Sequence, residues 1–297
     1  MPPRVSRSHD AASRWSAAVV GSRTVRRRSL PRHRRGDIDV PFTLLAGREV
    51  IEEDTFWAEH SHPTHELLWN EQGASSARIG ARVHTISPSI GLWIPAGTPH
   101  SGFTPAGVRH LAAQFSTTRM TPPAERPVAV EITPLLHLLL ERTLEPDLSP
   151  ASRELTDAVI LDLLAPSSRD LPLTVPDHPL LAPIVAALTT DPADSTTLEE
   201  WAGRLGVSSR TLTRTFEAST GQGFRAWATA ARAQRAAALL VAGERVEDVA
   251  PMVGYRTPSA FTAAFRRVTG MTPGLYRRRA LDADASEQPL AGAAQAS

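Results

Sequence analysis

Two stretches of this sequence, about fifty residues apart, share one grammar: a short amphipathic helix, a glycine, then a second capped helix with apolar residues four apart. In the first, Thr197-Leu198-Glu199-Glu200 is a capping box. The Thr197 hydroxyl can accept from the Glu200 N–H while the Glu200 carboxylate reaches back. The helix it opens ends near Gly206, and Val207-Ser208-Ser209 starts the next, with Ser208 as cap and Leu212 and Phe216 on one face. In the second, Val246, Val249 and Ala250 lie on a short helix, Gly254-Tyr255 makes the turn, and Thr257-Pro258 supplies an N-cap and a first-turn proline. Phe261 and Phe265 there repeat the buried face of Leu212 and Phe216.

Helix, glycine turn, helix is the helix-turn-helix order, in which early residues of the second helix reach base edges in duplex DNA. The outward residues of the first unit are Ser209, Arg210, Thr213 and Arg214; those of the second are Arg256, Thr257, Ser259 and Thr262, with Arg266 and Arg267 placed to hold phosphates. Between the units, Gly223 to about Ala242 predicts one helix of about 30 Å, which nearly matches the ~34–36 Å between successive major-groove faces. Pro251 falls inside the supporting helix of the second unit, where it removes a backbone donor and is expected to kink the helix. With Ala263 on its outer face as well, the second unit reads as a phosphate clamp and the first as the principal reader of bases.

Residues of about 180–279 resemble the AraC/XylS family DNA-binding domain. The resemblance rests on Val246-x-x-Val249-Ala250-x-x-x-Gly254-Tyr255 and on Phe261-x-x-x-Phe265-Arg266-Arg267-x-x-Gly270-Met271-Thr272-Pro273-x-x-Tyr276-Arg277. Leu212-x-Arg214-x-Phe216, Thr220-Gly221 and Arg232-x-x-Arg235-Ala236-x-x-Leu239-Leu240 add to it. It implies a transcription regulator in the bacterial cytoplasm whose partners are promoter DNA, a small-molecule effector, RNA polymerase and a second copy of the chain.

The net charge of +1 conceals a segregation: +9 over residues 1–36, −9 over 37–176 and +4 over 177–280. Of the acidic middle and the basic C-terminal block joined to it, only the latter is suited to a polyanion. Residues 1–36 are Arg-rich and lack hydrophobic periodicity. Their composition imitates a transit peptide, but they read as a disordered basic tail. The chain has no cysteine, which excludes disulfides, thiolate metal sites and cysteine nucleophiles, and no apolar run long enough to span a bilayer.

From about Val40 to Phe115, short β-type runs broken by Gly and Pro predict a small barrel or sandwich. Here His60, His62 and Glu66 share a parity in extended chain, so one segment can aim three ligands into one cavity, with His65 turned away. His100, after Pro95-Ala96-Gly97-Thr98-Pro99, can supply a fourth. This resembles the cupin pattern, His-x-His-x-x-x-Glu and then Pro-x-Gly-x-x-His, with Thr104 standing where the family expects Asn. Such a set suits zinc, iron, manganese or nickel better than calcium. The same histidines can instead line a polar effector pocket without metal. Trp57, Trp69 and Trp93 are candidate walls for an apolar effector.

The sequence thus predicts a multidomain α+β chain. Residues 37–118 form a cupin-like sensor barrel, 119–165 a two-helix dimerisation segment, and 166–178 a Pro/Ser linker. An all-α domain with two helix-turn-helix units joined by a long helix fills 179–280, and 281–297 form a disordered tail. No catalytic residue is assigned. The alternative is a metallocupin enzyme, a dioxygenase or isomerase, carrying a DNA-binding tail.

Overall fold

The computed structural model describes residues 25–167 and 172–278. Its N-terminal part is two facing sheets. One has the order β1-β3-β8-β5-β6-β11, from Arg26–Arg28 (β1), Thr55–His60 (β3), His100–Thr104 (β8), Ser75–Ile79 (β5), Arg82–Ile86 (β6) and Leu173–Thr174 (β11). The other has the order β10-β7-β4-β9-β2, from Val128–Glu131 (β10), Ile90–Ile94 (β7), His65–Gln72 (β4), Arg109–Phe115 (β9) and Leu44–Val50 (β2). Every pairing is antiparallel except β1 on β3.

Strand alternation divides the residues between two environments. On β4, Glu66 and Leu68 face a cavity between the sheets, whereas Leu67 and Trp69 join the apolar cluster beneath two helices, α1 (Pro134–Arg142) and α2 (Pro150–Leu163). Both helices start with a capping hydroxyl, Thr133 or Ser149, followed by proline in the first turn, and they bury Leu136, Leu140 and Ile160 against the sheet.

The C-terminal part is helical. A 3₁₀ turn, Pro179–Leu181, leads into α3 (Ala182–Thr190), and α4 (Leu198–Leu205) and α5 (Ser209–Thr220) form the first unit. Helix α6 (Phe224–Val241) joins it to α7 (Val246–Met252) and α8 (Pro258–Thr269), and a last helical turn spans 273–278. The multidomain α+β architecture follows the sequence reading, and no helix among the described residues is long and apolar enough to cross a membrane.

Two details depart from that reading. Residues 25–36 of the basic stretch, expected as a disordered tail, belong to the fold: Arg26–Arg28 pair with Thr55–Trp57, and Arg32 bridges to Ser61. Arg27 and Arg28 lie over the Phe56 and Trp57 rings at 5.1 and 4.8 Å, so the stacking of guanidinium on aromatic faces supplies what apolar alternation does not. The segment expected as a linker contains β11, which pairs with Val83 and Arg82 and carries Leu173 and Val175 into the core of the first unit. Pro251 lies in the last turn of α7 and is exposed, and the chain leaves the helix just after it through Val253 and Gly254. Residues 1–24, 168–171 and 279–297, which hold the rest of the expected basic tail, part of the linker and the C-terminal tail, lie outside the described residues.

Candidate functional site

The two units present similar surfaces. In the first, the capping box forms as read, with Thr197 accepting from Glu200 N–H at 3.2 Å and donating its own N–H to the Glu200 carboxylate at 2.7 Å. Gly206 ends α4 at φ 67°, a left-handed turn that brings α5 back across it. Leu212 and Phe216 are fully buried, and Phe216 meets Phe224 and Trp227 at 5.3 and 5.5 Å. That fixed face leaves Arg210 and Arg214 exposed. Ser209 and Thr213 are half-buried, and Thr213 gives its hydroxyl proton to the Ser209 carbonyl.

In the second unit, Gly254 turns at φ 80°, and a Cβ there would meet Ala193 Cα at 3.0 Å, so glycine is required both by conformation and by the close approach of the α3–α4 loop. Thr257 caps α8 through the Ala260 N–H, and Phe261 and Phe265 are buried. Arg256, Thr257, Ser259, Arg266 and Arg267 are exposed, Thr262 is half-buried, and Ala263 faces outward. Helix α6, 18 residues long, spans about 27 Å between the units.

The second feature is a cavity of about 340 Å³ between the sheets. His60 ends β3, His62 lies in the following turn, Glu66 is on β4 and His100 opens β8, so the chain does not run extended through all three early positions. A turn at Ser61–Thr64 moves the ligands from one sheet to the other and still converges them. The His60 and His100 rings are 4.3 Å apart, His60 and His62 4.9 Å, and one nitrogen from each of the three lies within 4.8 Å of the others. Glu66 lies 3.4 Å from His62 Nε2 and 3.3 Å from His100 Nε2. His65 turns away and stacks on Trp93.

The hydrogen bonds behind the rings set their chemistry. His60 Nδ1 faces the Ala58 carbonyl at 2.7 Å and His100 Nδ1 the Thr98 carbonyl at 3.0 Å, so each Nδ1 carries a proton and each Nε2 is left as a donor atom facing Glu66 and His62. His62 Nε2 and Glu66 Oε2 are buried without hydrogen bonds, and Gln114 holds the other Glu66 oxygen at 2.7 Å. Burial, with His100 beside it, pushes His60 down to about 4. Burial alone would raise the Glu66 carboxyl, but the surrounding imidazoles hold it at about 2. Glu66 in turn pulls the His100 pKa up against its burial, and three imidazoles converging beside one buried carboxylate are a donor set of the kind a divalent cation takes, so these residues fit a metal ion.

Of the three tryptophans, only Trp57 lines the cavity, with its Nε1 donating to Thr104. Trp69 and Trp93 are fully buried in the barrel core on the opposite face of their sheet, and Trp93 Nε1 donates to the Ala124 carbonyl. His110 and Gln114, not among the expected site residues, also line the cavity, and the alternation His110, Ala112, Gln114 on β9 is the sequence signal that marks them. Asn70 donates to the Ile86 carbonyl, which turns its oxygen toward His110 Nδ1 at 3.4 Å. His110 Nε2 is thereby an acceptor on the cavity wall, and burial keeps the ring neutral.

A two-sheet barrel around a ligand-sized cavity, docked to paired helix-turn-helix units, defines a ligand-binding regulator of transcription. The model of the AraC-like ligand binding domain matches residues 44–124, and that of a helix-turn-helix domain matches residues 201–279. The chain is 27% identical to the HTH-type transcriptional regulator NimR of Escherichia coli K12 over 83% of this chain and 90% of that protein. It is 34% identical to the HTH-type transcriptional regulator RipA of Corynebacterium glutamicum, over 71% of this chain and 61% of RipA. A solved DNA-binding transcriptional dual regulator from Escherichia coli K-12 is 28% identical over 35% of this chain and 93% of its own, with a TM-score of 0.32. The chain thus joins an AraC-like ligand binding domain to a helix-turn-helix DNA-binding domain, the make-up of an AraC-type transcriptional regulator.

Proposed function

We propose that the barrel senses an organic effector beside a divalent cation of the zinc, iron, manganese or nickel type, held by His60, His62, Glu66 and His100. The observation that carries this is the pair of Nδ1–carbonyl contacts, which turns the His60 and His100 rings toward the buried Glu66 carboxylate, 3.3 Å from His100 Nε2. Such a cation supplies a Lewis-acidic anchor for an oxygen donor on the effector. Trp57 and Leu68 supply apolar wall, and His110 accepts a hydrogen bond from the effector's far end. The cavity binds its ligand without turning it over, a reading supported by its attachment to two reading heads. Metal analysis of the purified protein, with oxygen uptake measured on iron-loaded samples, tests both parts: metal-free protein removes the cation, and uptake with turnover removes the sensor.

Ser209, Arg210, Thr213 and Arg214 read bases at one major-groove face. Arg256, Thr257, Ser259 and Thr262 contact the next, with Arg266 and Arg267 on phosphates. Support comes from the exposed arginines at the start of a capped helix whose opposite face is locked by Phe216. Footprinting of the full-length protein on genomic DNA tests the assignment.

The regulator works in the cytoplasm as a homodimer and engages RNA polymerase once bound at a promoter. Leu135 and Leu138 on α1 and Leu155 and Val159 on α2 remain 55, 57, 69 and 43% exposed, which is costly unless a second copy covers them.

A further inference from the structure

Helix α6 rests on the barrel as well as joining the heads. Gln234 donates to the Val83 carbonyl at 3.0 Å, and Trp227 to the Thr174 carbonyl at 2.8 Å. Between α3, α6 and strands β5 and β6 a second cavity of about 50 Å³ remains. Ser75 and Ser76 of β5 contribute to both this cavity and the one inside the barrel, so the two are separated by one strand.

Its walls are mostly apolar, from Val83, Phe103, Pro105, Leu188, Ala231 and Ala238. Arg235 is the one charged residue on them. It is half-buried, burial works against its charge with no carboxylate opposing, and it makes no hydrogen bond or ion pair among the described residues. Arg232, one turn earlier, shows the ordinary arrangement, with its guanidinium donating to the Pro192 and Asp194 carbonyls. The hydroxyls of Ser76 and Thr85, also on the wall, are likewise unpartnered among the described residues.

We propose that this cleft is a second ligand site, for a short-chain monocarboxylate whose carboxylate pairs with Arg235 and whose carbons lie against Phe103 and Leu188. A guanidinium fork matches a carboxylate with two parallel hydrogen bonds, and partial burial strengthens the pair. Each water needs at least ~10–15 Å³ of such space, so the cleft takes roughly four water-sized groups, which is a carboxylate with a few carbons. A phosphate requires donors on several sides, and here one fork and two hydroxyls are on offer, because Ser75, Thr189 and Gln234 on the same wall already donate to Asn70 and to the Val185 and Val83 carbonyls. Because the walls belong to both the barrel and the DNA-binding domain, the bound acid favours the docked arrangement and is coupled to whatever undocks it.

Equilibrium dialysis of labelled butyrate against the full-length protein tests this. The expected result is saturable binding that neutral butyramide does not compete for, weakened about tenfold or more by Arg235→Gln, in line with a lost charge-assisted bond. Arg235→Lys is expected to retain part of it. Ala238→Leu, which fills the cleft and leaves the charge in place, is expected to block binding as well. His62→Ala is expected to leave it intact; loss there with retention in Arg235→Gln would put the acid in the barrel and overturn the proposal. No saturable binding, equal competition by butyramide, or displacement by equimolar phosphate would each overturn it too. Unchanged thermal melting of Arg235→Gln, expected because the side chain has no partner to lose, shows that the loss is not misfolding.

Discussion

Trp227→Phe is the substitution in which fold and signal meet. The Trp227 ring is fully buried in the first unit against Phe216, and its Nε1 reaches across the domain boundary to the Thr174 carbonyl at 2.8 Å. Phenylalanine keeps the aromatic packing in part and loses that donor. A buried carbonyl left unpaired costs about 1–3 kcal/mol, and the smaller ring leaves a void worth about 1–2 kcal/mol more. The expected total is about 2–5 kcal/mol, read as a lowered midpoint of urea unfolding at unchanged slope. Trp93→Phe is the matched control, because Trp93 is equally buried and also donates to a backbone carbonyl, that of Ala124, but within the barrel domain. Both variants should lose comparable stability. Only Trp227→Phe should accelerate amide exchange along β11, at Leu173 and Val175, where the linker strand is held between barrel and helix. A cost below about 0.5 kcal/mol, or equal β11 exchange in the two variants, would refute the claim that this bond ties the domains together.

Three further outcomes are expected. Arg210→Ala and Arg214→Ala should each weaken binding to a footprinted operator by about 1–3 kcal/mol and relax specificity at the contacted base; unchanged footprints in both would remove the first head as the reader. His62→Ala should lower the metal content of purified protein and, with it, the melting temperature by the stabilisation that the bound ion supplies, and added metal should raise the melting temperature of the wild type more than that of the variant. The double substitution Leu138→Glu and Leu155→Glu should convert dimer to monomer in sedimentation at unchanged helical content, and a wild-type protein that is already monomeric would dispose of that interface.

What could be read from the chain follows the range of the interactions. Both heads were legible because a cap, a glycine turn and a four-residue apolar step are all set within about a dozen residues. The ligand set was legible as residue types, though its geometry was not. His60, His62 and Glu66 converge through a turn, and no parity argument in one extended strand describes that. Trp69 and Trp93 were misplaced because alternation says that a residue has a side and cannot say which side holds the cavity; the packing of α1 and α2 decides it. Strands β1 and β11 were illegible for a related reason. Arg26–Arg28 and Leu173–Thr174 are short, lack alternation, and become strands only because β3 and β6 offer free edges far away in sequence. His110 and Gln114 show the reverse, a local signal present on β9 and left unused.

The helix between the heads has a consequence for operators. Helix α6 is a continuous rod with nine buried residues and a hydrogen bond to the barrel, so it cannot stretch or swivel to follow a changed site. On DNA, adding base pairs between two half-sites rotates one around the duplex axis as well as moving it away. Five added pairs, about half a helical turn, put the second groove on the far side of the duplex, and ten restore the face at a distance the rod cannot reach. A regulator built this way should therefore treat both insertions as loss of one head, whereas proteins with flexible linkers recover at the full turn.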